Sequence, residues 1–233
     1  MDQALRKRPI LVWDLPTRLF HWLLVALMVA AFVTGQLGGD LIQWHGRLGL
    51  AIIGLLAFRL VWGFVGSTYA RFASFMPRPA ALVAYLRGRW RGPGHNPMGA
   101  LSVYGLLTVV AIQATTGLFA NDDIAFQGPL AALVDGTTSQ FLTSIHRLNV
   151  SLLLALVGLH LAAILFYTWV KRESLVPPMI TGIKLVEDAQ AEPAAGGGLV
   201  PFLVALLIAL GVVSLAAGVL IEPPPPPPPA PEW

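Results

Sequence analysis

The chain has 233 residues, 56% of them hydrophobic and only 12% charged, with a formal net charge of +3 and no cysteine. Its mean hydropathy is +0.71 and its pI about 9.6; soluble domains carry about 25% charged residues, so this composition belongs in lipid. The lack of cysteine excludes disulfides, thiolate metal sites, cysteine-ligated iron–sulfur clusters and covalent C-x-x-C-H haem attachment; the basic residues border apolar segments without any aromatic–basic reading surface, which argues against a nucleic-acid partner.

In chain order, a basic N-terminal stretch with Arg6, Lys7 and Arg8 leads into an apolar run. That run is too long for a signal-peptide core and lacks a small-residue cleavage site, so it is expected to stay as the first membrane helix. Five segments reach the roughly 20 apolar residues a spanning helix needs, at 17–36, 48–66, 99–120, 141–170 and 199–221. The stretch 77–90 reads as a short basic amphipathic helix on the membrane surface. Arg18 at the start of the first span, Arg71, Arg78, Arg87, Arg89 and Arg91 after the second, and Lys171, Arg172 and Lys184 after the fourth mark the cytoplasmic side. Asp40, Asp122, Asp123 and Asp135 fall on the opposite side. The N-terminus is then cytoplasmic and the C-terminus periplasmic, in a bacterial inner membrane.

The expected organisation is a four-helix transmembrane domain over 1–182, a flexible cytoplasmic linker over 183–198, an accessory transmembrane helix over 199–221 and a polyproline tail over 222–233. The linker contains three consecutive glycines and the tail seven consecutive prolines, compositions of flexible and semi-rigid connectors respectively. The fifth helix reads as an appendix, since no His, Arg or Lys lies within it.

Ionisable residues inside spans are costly and functional by default. Four of the five histidines, His21, His45, His146 and His160, lie in or at the edge of the spans. A hydrogen-bonded polar role between helices is the alternative for each one singly; the set of four is harder to explain that way. His146 and His160 are 14 residues apart on one helix, within about 40° of the same face and about 21 Å apart along the axis. Depth pairs His45 with His146 near the outer face and His21 with His160 towards the cytoplasm. Two neutral imidazoles per metal suit the axial positions of a haem iron in a helix bundle, whereas a zinc ion usually wants four tetrahedral ligands. With both axial positions filled, the two haem b groups should relay electrons rather than catalyse a reaction. Haem propionates need cationic partners, and Arg47 and Arg147 beside the outer pair, with Arg18 and Arg59 near the inner pair, have the guanidinium geometry for carboxylates. Interfacial anchoring is the competing role for Arg18, Arg47 and Arg147, less so for Arg59, which sits inside a span. Gly35, 14 residues after His21, could leave room for the outer macrocycle.

VWDLPTRLFHW (12–22), HGRLGLAIIGLLAFRLVWGFVGS (45–67), GHNPMG (94–99), TGLFANDD (116–123) and the fourth span through YTWVKRE (167–173) resemble the prokaryotic cytochrome b561 and nickel–iron hydrogenase cytochrome b subunit family over roughly 11–182. The resemblance implies an all-α membrane protein built on a di-haem four-helix bundle, exchanging electrons with membrane quinone and a redox partner in a respiratory chain; the additional C-terminal helix and the polyproline tail lie outside the family's usual four-helix pattern and leave the partner open. Some members of that family serve a hydrogenase, some pair with c-type cytochromes and some act on quinone alone. The leading expectation is electron transfer between quinone and a periplasmic c-type cytochrome. The alternative is the membrane-anchor cytochrome b subunit of a hydrogenase or similar complex, and the remote one a metal-ion permease, for which broken helices and further intramembrane acids are lacking. Arg59, Arg18 and His95 are candidates for lining a quinone pocket, although a structural role suits His95 better. The lipid bilayer is the constant partner, and pairing with a second copy is compatible with the sequence.

Overall fold

The structure, a computed structural model, describes residues 7–124, 126–186 and 190–220. Its elements in chain order are β1 (Arg8–Leu11), α1 (Leu15–Leu37), α2 (Ile42–Val65), α3 (Pro79–Leu86), α4 (Pro97–Leu118), α5 (Gly136–Trp169), α6 (Val176–Thr181), β2 (Ile183–Val186) and α7 (Leu199–Ala216). Helices α1, α2, α4, α5 and α7 are long and apolar enough to cross a membrane, in the five places expected. The protein is a multi-pass helical membrane bundle.

Three of the spans open on a polar side chain that satisfies an otherwise orphaned first-turn donor. Asp14 Oδ1 accepts from Thr17 N at 2.8 Å, Asn96 Oδ1 from Gly99 N at 2.7 Å and Asp135 Oδ1 from Thr138 N at 2.9 Å. The same bond, with a second from the Thr138 hydroxyl, holds the Asp135 carboxyl below its ordinary range. These caps fix where each helix starts and hence how deep its histidines lie.

Two starts come earlier than hydropathy suggests. Helix α2 begins at Ile42, not 48, so His45 lies in its first turn. Helix α5 begins at Gly136 and runs for 34 residues, about 51 Å against a hydrocarbon core of about 30 Å. Polar Thr137, Thr138, Ser139 and Gln140 masked that start, because hydropathy sees lipid and not helix. The amphipathic stretch expected over 77–90 shortens to the eight residues of α3.

Helix α1 packs along α2, α2 along α4 and α4 along α5, whereas α1 and α5 do not pack along each other. Ala31, Ile52, Leu56 and Val110 form the buried centre shared by the first three. The fifth span is no appendix: α7 lies along α2, with Ala205 and Ala209 buried against Ala57, Phe58 and Trp62. Small residues let the backbones approach. Phe202 then sits edge-on to both Phe58 and Trp62. Trp62 is fully buried and donates from Nε1 to Asp14 Oδ2 at 3.0 Å, tying the capped start of α1 to α2.

The stretch expected as a linker begins as a strand. Ile183–Val186 pairs antiparallel with Arg8–Leu11, Arg8 opposite Val186 and Leu11 opposite Ile183. Beyond it, Ala194 N donates to Leu11 O at 2.7 Å and Thr68 N to Ala195 O at 2.9 Å, while Tyr69 Oη donates to Glu192 O at 2.6 Å. This backbone is tied to the start of the chain and to the end of α2, so the described part of 183–198 is docked rather than free. The polyproline tail expected over 222–233 lies outside the described residues.

Candidate cofactor site

The structure brings two of the four histidines together. The rings of His45, in the first turn of α2, and His146, on α5, have centroids 6.0 Å apart and planes at 88°. Two imidazoles on opposite sides of one metal, each bonded at about 2.0–2.1 Å, would have centroids about 6 Å apart. His45 Nδ1 lies 2.7 Å from the carbonyl of Ala31 on α1, and His146 Nδ1 lies 2.8 Å from the carbonyl of Gln113 on α4. A carbonyl only accepts, so both Nδ1 atoms carry the proton and both Nε2 atoms keep a lone pair, the tautomer a metal-ligating histidine adopts.

The two rings are held in the same way. One full turn beyond each accepting carbonyl stands a glycine: a Cβ on Gly35 would lie 2.8 Å from His45 Nδ1, and one on Gly117 would lie 2.9 Å from His146 Cε1. Each neighbouring helix thus offers a carbonyl and, four residues on, a bare patch that admits the imidazole to it. Gly35 serves the ring of His45 directly, a closer role than room for a macrocycle.

Gln113 does more than lend its carbonyl. Its side-chain Oε1 accepts from Asn149 Nδ2 at 2.8 Å, which turns its amide nitrogen towards His146 Nε2 at 3.1 Å. Asn149 is buried and also donates to Val109 O at 3.0 Å. Gln113 and Asn149 were missed in the sequence reading, although polar residues inside spans are rare for the same reason histidines are.

The inner pair is less tightly specified. His21 stands within electrostatic reach of His160, its Nδ1 buried without a hydrogen-bond partner. His160 Nδ1 has Ser102 Oγ of α4 at 3.4 Å, a weak contact. These two histidines sit on helices, α1 and α5, that do not pack along each other. Among the described residues no three His, Asp or Glu side chains converge on one point.

The arginines divide. Arg59 is 3% exposed, with its guanidinium over Phe72 at 4.7 Å and towards Phe20 at 6.0 Å and Nη1 unpartnered. Its charge lies near Asp14 and Tyr104, and the Phe20 ring it approaches is one residue from His21 along α1. Arg18 donates to the carbonyl of Ile180, clamping α6 onto α1. Arg47 lies over Trp44 at 5.0 Å, and Arg47 and Arg147 are both exposed at the outer end.

His95 is away from both pairs, in the turn before α4. Its ring sits between Trp13 and Phe75, 4.5 Å from each, and Nδ1 is shielded without a partner. Burial, reinforced by the positive charges of Arg59 and Lys184, pushes it down to about 3. Between that value and the ordinary 6.5 the unfolded chain binds the extra proton and the folded one does not, so stability falls as pH drops below about 6.5. Lowering the pH from 7 to 5 should therefore cost on the order of 1–2 kcal/mol, read as a lower thermal midpoint that His95→Gln flattens. A midpoint equally pH-dependent in both proteins would contradict this.

A family profile described as prokaryotic cytochrome b561 matches residues 12–182. The probable Ni/Fe-hydrogenase 1 B-type cytochrome subunit of Escherichia coli strain K12 is 23% identical over 216 residues, covering 74% of this chain and 89% of that one. The probable Ni/Fe-hydrogenase B-type cytochrome subunits of Rhizobium leguminosarum bv. viciae and Azotobacter chroococcum mcd 1 are 21% and 23% identical, each over 225 residues, and cover 81% and 80% of this chain. No solved structure matches significantly.

Proposed function

This chain belongs to the prokaryotic cytochrome b561 family, a membrane cytochrome b of electron transfer that holds haem b, and we propose that it is the membrane subunit of a hydrogenase-type oxidoreductase complex. It would pass electrons through two haems between a catalytic subunit at the outer face and the bilayer. The relatives' names favour this reading over free exchange with a periplasmic c-type cytochrome, which was the leading expectation from sequence. The observation that carries the haem assignment is the outer histidine pair, two rings 6.0 Å apart whose Nδ1 protons are both held by backbone carbonyls. This leaves the Nε2 lone pairs of His45 and His146 as the ligating atoms, that of His146 accepting from the Gln113 amide in a contact that ligation would replace.

Haem iron supplies reversible one-electron redox chemistry. The residues supply its setting. His45 and His146 would hold one group and His21 and His160 the other; the carbonyls of Ala31 and Gln113 orient the outer imidazoles and raise their basicity. Arg59 offers the inner group a desolvated cation for a propionate. A nearby positive charge favours the reduced form, so Arg59→Leu should lower the potential of the inner haem by tens of millivolts, taking an effective dielectric of about 20. Redox titration with visible spectra would show it, and an unchanged potential would remove Arg59 from the site.

Quinone as the membrane-side electron carrier has its own support. A cleft of about 490 Å³ between α2 and α4 is lined by Leu60, Phe64, Phe72, Tyr104 and Thr108, with Arg59 as its cation. It suits a flat headgroup with carbonyl acceptors. The orientation with the N-terminus cytoplasmic, in a bacterial inner membrane, follows the arginine bias of the loops.

The decisive experiment is purification of the tagged chain from its native membranes in mild detergent, followed by mass spectrometry of its companions and anaerobic exposure to hydrogen. A stoichiometric metal-bearing subunit and hydrogen-dependent haem reduction are expected. A chain recovered alone, reduced by quinol and oxidised by a c-type cytochrome, would overturn the subunit reading.

A further inference from the structure

Neither histidine pair uses the cavity of about 370 Å³ beside α3, whose lining includes Ser74, Arg78, Ala81, Trp90, Arg91 and His95. Its charge is lopsided. From Asp40 to Asp122 the chain has no acidic residue between them, yet it carries Arg71, Arg78, Arg87, Arg89 and Arg91 around α3. Glu173 is paired with Lys184 at 2.9 Å, and no described carboxylate forms an ion pair with Arg78 or Arg91. Arg91 Nη1 reaches only the carbonyls of Gly88 and Trp90, at 3.3 and 3.2 Å. Arg78 stands at the N-cap of α3, where no side chain caps the helix, so first-turn N–H groups beside Ala81 still need an acceptor. His95 adds a shielded Nδ1 with no partner.

A cavity offering two unanswered guanidinium groups, an uncapped helix start and an imidazole is built for a tetrahedral oxyanion. We propose that it binds a phosphate group, carried by an anionic phospholipid or free as inorganic phosphate, with Arg78 and Arg91 as its cationic partners. The lipid source is favoured by Met76, Val83 and Leu86, exposed apolar side chains around the same short helix, which suit acyl chains or the bilayer edge.

The test uses the full chain in detergent, with phosphatidylglycerol, phosphatidylcholine or inorganic phosphate as probe and native mass spectrometry as readout. The unmodified protein should retain phosphatidylglycerol through delipidation and not phosphatidylcholine. Arg78→Gln with Arg91→Gln should reduce that retention about tenfold or more, while Arg87→Gln with Arg89→Gln, equal in charge but off the cavity lining, should leave it intact. Displacement of the lipid by millimolar phosphate would make the phosphate group sufficient, and retention against phosphate would make the lipid the occupant; both outcomes uphold the site. Equal losses in the two double variants, or equal retention of the two lipids by the unmodified protein, would overturn it. The lipid comparison needs no variant, so it decides the matter even if Arg78→Gln with Arg91→Gln fails to fold.

Discussion

His160→Ala is expected to yield a chain carrying about half the haem of the parent protein, and His21→Ala the same half, because each removes one of two imidazoles that a low-spin iron needs. His45→Ala and His146→Ala should each remove the other half. Double variants separate pairing from general damage, since residues acting on one group are not additive and residues acting on separate groups are. His21→Ala with His160→Ala should lose no more than either alone. His160→Ala with His146→Ala should lose nearly everything. Haem per chain and the reduced-minus-oxidised spectrum measure this directly. Equal, complete loss in all four single variants, with helicity preserved, would show that the histidines do not work in the pairs inferred from their depth. The inner pair is the stricter test. Its rings lack the carbonyl anchors of the outer pair, as His21 Nδ1 has no partner and His160 has only a long contact to Ser102, so the bound group itself must contribute more of the order there.

The spans were legible in the sequence because they rest on length and hydropathy, and the closeness of His45 to His146 follows from the depths that those spans set. Four histidines and a 3.6-residue repeat place His146 and His160 on one face at two depths, and α2 and α5 then carry His45 to His146. What remained hidden depends on partners distant in sequence. Ile183–Val186 has no strand pattern strong enough to announce itself and acquires its conformation from Arg8–Leu11, more than 170 positions away. The docking of α7 rests on alanines, Ala205 and Ala209, which hydropathy scores as ordinary lipid-facing residues. His95 looked like a surface turn because GHNPMG is rich in turn formers; only the fold brings Trp13 from one side and Phe75 from the other. Arg59 was the exception. A guanidinium between Phe58 and Leu60 inside an apolar run is too costly to be accidental, and it is buried, 3% exposed.

Gly117→Val and Gly35→Val should each abolish most of the outer haem while leaving the inner spectrum in place. The reason is local geometry, not helix stability. The imidazole of His146 reaches the Gln113 carbonyl by lying over the patch one turn further along α4, where Gly117 has no side chain. Any Cβ there meets the ring at 2.9 Å, and the two branches of valine extend the clash. His45 reaches Ala31 over Gly35 in the same manner, with the nearest approach 2.8 Å. Pushing either ring aside breaks the Nδ1 bond that fixes its tautomer and aim. The helices themselves should tolerate the change, since a non-glycine residue in a helix interior is favoured over glycine, by up to about 1 kcal/mol for alanine. Gly105→Ala on α4 and Gly158→Ala on α5 supply the contrast, because a Cβ at either position meets nothing within 4 Å. Those two variants should keep the full haem complement. If Gly117→Val also kept it, with both absorption components unchanged, His146 could not be ligating from the position it occupies over α4.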